Sequence, residues 1–290
     1  MALGQLDRAI ELLSDDAITP EERAIHDTRK ALKRLRALLR LLRNALGEQQ
    51  FAQEYGILRD AARRLAGARD AQVMLSTLDA LLQRHPRKLA RRTAMIELRK
   101  LLDVERAAAT QRALGDGLTR AEVLDELRGL RERVKHWDLP ERPSIAVVES
   151  DLRRLYRQGR RRHRRIDRMD PPTLDGTRAL HEWRKRVKDL RYSAEMLGLR
   201  PLARRADTLG ELLGEEHDLA LLAALLPAPG YAPFEDKRGK QARKALRKQI
   251  ARRRRRLRKR TMREGERLYR RKPKKFTRRV RRAHARASRV

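Results

Sequence analysis

Residues 25–36 read IHDTRKALKRLR, and residues 180–191 read LHEWRKRVKDLR. The two stretches lie 155 positions apart and share His, Arg, Lys, Lys, Leu and Arg in register. Three further pairs, Ile25/Leu180, Asp27/Glu182 and Leu32/Val187, are chemically alike. At about 100° per helical residue, His26, Arg29, Lys30, Lys33 and Arg36 fall on one face about 120° wide, which Arg40 extends along the axis. Leu32, Leu35, Leu38, Leu39 and Leu42 fall opposite. In the second copy His181, Arg184, Lys185, Lys188 and Arg191 share one face, and Trp183, Val187, Leu190, Ala194 and Leu197 share the other. Each helix is therefore predicted to bury an apolar stripe and present a cationic one, roughly 15 Å long from His26 to Arg36.

The rest of the chain supports helices. Its apolar residues are mostly Ala and Leu, aromatics are 3%, and Arg and Glu are abundant. These are helix formers, while the residues that favour strands are scarce. Cysteine is absent, which excludes disulfides and thiolate metal sites. The N-terminus, MALGQLDRAIELLSDD, has acids within its apolar stretch and does not read as a signal peptide. No segment approaches the roughly 20 apolar residues of a membrane span, so the expected location is the cytoplasm.

Net charge is +35, a surplus that calls for a polyanionic partner. Residues 237–290 carry 28 Lys and Arg against two Glu, so most of the surplus sits in the last fifth of the chain. Any basic site in the remaining body must come from arrangement.

Helices are expected over about 3–14, 20–46, 48–84, 88–114, 119–136, 144–168, 178–198, 201–226 and 236–264, with another in the 270s interrupted or restarted by Pro273. Thr19-Pro20 and Ser144 are the expected starts of two of them, and Thr119 with Glu122 forms a capping-box pattern. WDLPERP (137–143) is the best linker, dividing the chain into 1–140, 141–282 and a basic end, 283–290. A second phrase also recurs, LAGARDAQVMLSTL (65–78) and LGEEHDLALLAALL (213–226). Two halves with one helix order predict an all-α fold of two helical bundles related by a pseudo-two-fold axis.

A single phosphate needs two or three donors. Two parallel rows of cations suit an extended anion, and like charges at i, i+4 cost a few tenths of a kcal/mol per pair unless a ligand uses them. The histidines are expected to donate to anionic oxygens, giving tighter binding at mildly acidic pH. RRLYRQGRRRHRRI (153–166) adds Arg154, Arg157, Arg161 and Arg164 as expected contributors, and the run Arg252–Arg256 is either a further wall or a solvated face.

The pattern H-x-x-R-K-x-x-K-x-x-R, twice, on helices of an Arg-rich chain resembles the CHAD domain (conserved histidine α-helical domain). The resemblance extends to LRDAARRLAGARD (58–70), YRQGRRRHRR (156–165) and GERLYRRKPKKFTRRVRR (265–282), covering roughly residues 20–282. It implies two four-helix bundles around a central basic groove and non-catalytic binding of long-chain inorganic polyphosphate. It also implies phosphate contacts from His26, Arg29, Lys30, Lys33 and Arg36 and from His181, Arg184, Lys185, Lys188 and Arg191. Polyphosphate granules are a place where such a binder could sit. Arg34 is matched by Asp189, so that position is expected to lie outside the site. The ExExK strand of triphosphatase-linked relatives has no counterpart here.

Sequence-independent RNA or DNA binding is the alternative, with weak affinity expected at low salt from charge alone. Few aromatics are available for base stacking, and no helix-turn-helix, zinc-finger or RNP pattern is present. The dipeptides His26-Asp27 and His217-Asp218 resemble those of metal-dependent phosphohydrolases, but cations flank His26 and Asp27 turns about 100° away from it. Neither a P-loop nor a dinucleotide-binding turn occurs, so no enzyme and no cofactor or metal is expected.

Overall fold

The computed structural model describes residues 1–14, 21–90, 92–114, 117–139, 145–169, 174–226 and 232–287. It is 92% helical, with no strand among the described residues. The all-α expectation is borne out. The helices are α1 (Ala2–Ser14), α2 (Glu21–Leu41), α3 (Arg43–Leu46), α4 (Glu48–Arg64), α5 (Ala66–Arg84), α6 (Thr93–Leu114), α7 (Gly117–Lys135), α8 (Ile145–Asp167), α9 (Leu174–Met196), α10 (Arg200–Leu225), α11 (Lys237–Tyr269) and α12 (Pro273–Ala287). Short helical turns at Pro86–Ala90 and Ala232–Phe234 complete the path.

Several boundaries moved for local reasons. The stretch 48–84 is two helices, broken at Leu65 next to Gly67. α7 starts at Gly117, so Thr119 sits inside its first turn rather than at its cap. α11 reaches Tyr269, and its start is fixed by Asp236, whose carboxylate accepts from the Gly239 N–H. Pro273 opens α12 at the position where a missing N–H costs nothing. The expected starts at Thr19-Pro20 and Ser144, and residues 140–143 of the linker, lie outside the described residues.

Three apolar cores hold the helices. The first joins α1, α2, α4 and α7 through Leu6, Leu13, Leu32, Leu39, Leu58 and Leu127. The second surrounds Trp183 and Tyr156, both fully buried, between α8, α9, α10, α12 and the end of α11. The third takes α5 and α6 from one side of residue 140 and α10 and α11 from the other. Leu41, at the end of α2, packs in the second core, and Leu42 touches both first and second. The helix that carries the first cationic stripe is thus clamped between two cores.

Candidate anion-binding groove

Hydrophobic burial aims both stripes. Ile25, Leu32, Leu35 and Leu39 of α2 are buried in the first core. Leu180, Trp183, Val187 and Leu190 of α9 are buried in the second. The helices pack against each other with α5 and α10 alongside, and between these four elements lies a groove of about 600 Å³. Its lining contains His26, Arg29, Lys30, Lys33, Arg36 and Arg40 from α2, and His181, Arg184, Lys185, Lys188 and Arg191 from α9. All eleven cationic or imidazole residues expected on the twin stripes meet in one place.

Several of these cations are held in position before any ligand arrives. Arg29 Nη1 donates to the Ala62 and Leu65 carbonyls at 3.1 and 2.7 Å, closing the C-terminus of α4. Arg36 Nη2 donates to the Tyr55 hydroxyl at 3.0 Å, and Arg40 reaches the same oxygen while its guanidinium lies over the ring. Arg40 Nη1 also donates to Asp189 at 2.7 Å, and Arg191 is paired with Glu195 and Asp207. Lys185, exposed, pairs with Glu182 one turn earlier at 2.7 Å.

Asp189 departs from the expectation. The position lines the groove, and its buried carboxylate sits between Arg40 and Arg186. An acid stands where the first copy has Arg, and two half-buried guanidinium groups converge on it as a shared counter-charge.

The groove's electrostatics bear the mark of crowded cations. Burial, with Arg184 and Lys33 alongside, pulls the Lys188 ammonium down to about 7 against the partial opposition of Asp218. The His181 and His217 rings lie against each other at a tilt of 36°, with centroids 4.3 Å apart. Burial and then the neighbouring His181 and Arg184 hold His217 down to about 4, and burial followed by Lys185 and Arg184 lowers His181. Both imidazoles keep a buried Nδ1 with no hydrogen-bond partner. An arriving anion reverses these shifts, since it favours the charged forms.

Sequence reasoning missed Tyr55, His217, Asp218, Asp70, Val73 and Leu221. Four of these were legible in the second repeated phrase, which aligns Asp70 with Asp218 and Val73 with Leu221. Both aligned pairs line the groove, from α5 and α10. Tyr55 carried no signal, because its role depends on where α4 meets α2.

The four expected contributors on α8 lie elsewhere. Arg154 pairs with buried Asp151 at 2.7 Å and donates to the Arg40 carbonyl at 3.1 Å, tying α8 to the end of α2. Arg157, Arg161 and Arg164 line a separate surface trough on α8. In the run 252–256, Arg253 and Arg254 fasten α11 to Glu215 and Glu216 of α10, while Arg252, Arg255 and Arg256 are exposed. None of these arginines lines the groove.

With the paired histidine helices meeting in one groove, the comparison with known families is direct: the CHAD domain model matches residues 2–227. The chain belongs to the CHAD family. That family is associated with polyphosphate binding. Comparison with curated proteins gives no match. In this CHAD chain, no described helix is long and apolar enough to cross a membrane. Among the described residues, no group of three or more His, Asp and Glu could hold a metal ion.

Proposed function

We propose that the groove binds long-chain inorganic polyphosphate and performs no chemistry on it. The observation that carries this reading is the convergence of both repeated stripes on one groove, with α2 and α9 each supplying a row of cations. A flexible chain of phosphates fits such a lining better than a compact anion, because one molecule collects many contacts for a single loss of translational freedom. The orphaned Nδ1 atoms of His181 and His217 add donors once protonated. The acids of the lining fit the same reading, since Asp70, Asp189 and Asp218 are too few to neutralise the cations.

Titration calorimetry in moderate salt tests it, with long-chain polyphosphate, triphosphate and single-stranded RNA as titrants. Long-chain polyphosphate is expected to bind far more tightly than the other two. A Lys30→Ala/Lys185→Ala double variant is expected to lose roughly a hundredfold, about 1.4 kcal/mol for each charge-assisted contact. RNA binding as tight as polyphosphate, or an unaffected double variant, would overturn the reading.

A further inference from the structure

Outside the groove, a row of arginines runs along α8. Arg154, Arg157, Arg161, Arg164 and Arg165 recur at helical spacing and share one face about 100° wide, which Arg168 continues just past the helix end. The row is roughly 21 Å long at 1.5 Å per residue. From Arg157 onward it lines an open trough of about 610 Å³ that Pro273 borders on the far side, and no acid lines that trough. The groove, of nearly equal volume, has Asp70, Asp189 and Asp218 in its lining.

Where the row begins matters more than its charge. Arg154 Nη2 donates to the carbonyl of Arg40, and the Arg40 side chain lines the groove. The α8 stripe therefore starts against the last cation of the α2 stripe and leads away from it along the surface. Arg157, Arg161, Arg164, Arg165 and Arg168 are exposed, whereas the groove cations Arg36, Arg40 and Lys188 are half-buried. Like charges at i, i+4 along an exposed face weaken the helix, so the row is costly unless something anionic lies on it. The trough lining offers no aromatic ring, which disfavours a base-stacked single strand as its occupant.

We infer that the α8 stripe is a second segment of the same binding path, holding the part of a long polyphosphate that emerges from the groove beyond Arg40. This rests on the groove reading above. A chain long enough to span both segments binds bivalently, the second contact being made at high effective concentration. A chain that only fills the groove gains nothing from α8. The stripe is thereby a length-selecting device: short polymers see one site, and long ones see two.

The test is an affinity series over polyphosphate lengths at fixed moderate salt. It compares wild type, Arg161→Gln/Arg164→Gln/Arg165→Gln, and an equal-charge control, Arg278→Gln/Arg279→Gln/Arg282→Gln on the exposed side of α12. In wild type, affinity is expected to keep rising with length beyond the point where the groove is full. In the α8 variant the rise stops there, with at least about tenfold lost for the longest chains and triphosphate binding unchanged. The control should lose clearly less. An α8 variant that follows wild type at every length overturns the inference, and so does equal loss at all lengths or equal loss in the control. Wild type that binds no polyphosphate of any length sinks the groove reading instead, a result separable from all of these.

Discussion

Arg40 Nη1 lies 2.7 Å from Asp189 Oδ1, and the same contact recurs with its signs exchanged between Arg34 and Glu195, 4.0 Å apart. In the register of the repeat, Arg34 corresponds to Asp189 and Arg40 to Glu195. Each helix thus meets the other through the same two positions, as in an isologous contact between two copies of one surface. The double pairing spans the contact between α2 and α9.

The two pairs differ in burial, and their removal should differ accordingly. Side chains at Arg40 and Asp189 are 16% and 9% exposed, against 36% and 33% at Arg34 and Glu195. Asp189→Ala leaves Arg40 and Arg186 without a carboxylate and is expected to cost about 3 kcal/mol in urea unfolding. Glu195→Ala should cost less than about 1 kcal/mol. Equal costs would show that burial does not set the strength of this contact.

Two glycines make an opposite pair. A Cβ at Gly159 of α8 would stand 2.2 Å from the Tyr269 hydroxyl, so Gly159→Ala must displace a buried ring and should destabilise by about 1–3 kcal/mol. At Gly56 of α4 a Cβ meets nothing within 4 Å. Gly56→Ala should stabilise by about 0.5–1 kcal/mol, because alanine loses less backbone entropy in a helix. Thermal unfolding of both variants checks the signs.

Lys188 should trade stability for binding. Its folded-state pKa of about 7 lies below the ordinary 10.5, so between those values the unfolded chain binds more protons. Stability of the ligand-free protein should therefore rise with pH from about 7 towards 10.5 at this site. Lys188→Met removes that slope and is expected to raise Tm by about 2–4 °C at neutral pH. The same variant should weaken long-chain polyphosphate binding, read by calorimetry. A lower Tm would mean that the charge is not the destabilising element.

Ligand affinity should run the other way with pH. On the proposed reading, bound polyphosphate should stabilise the protonated forms of Lys188, His181 and His217, raising each pKa above its ligand-free position. The gain from Lys188 is complete below about 7 and is lost as pH rises through the higher bound-state value. The gain from His217 is complete only near pH 4 and fades as pH rises through its own bound-state value. Affinity should fall as pH rises from 6 to 9, with net proton uptake visible as a dependence of binding heat on buffer ionisation enthalpy. Heat independent of buffer at pH 7.5 would exclude the Lys188 contribution.

The sequence by itself determined the helices and the composition of the two stripes, because both follow from local periodicity. A Leu or Trp every three or four residues buries one face, and the cations at His26–Arg40 and His181–Arg191 are left on the other. It also carried the aligned Asp70 and Asp218 in its second repeated phrase. Only the tertiary structure decided which cations share a groove. Arg154, Arg157 and Arg161 have the same local spacing as the groove residues, but the packing of α8 against α9 and α12 turns them to another surface. It likewise decided that Asp189 belongs inside the groove, that Tyr55 holds Arg36 and Arg40, and that His217 packs against His181. Those relations depend on helix crossings between residues far apart in the chain, and no short-range pattern encodes where such crossings fall.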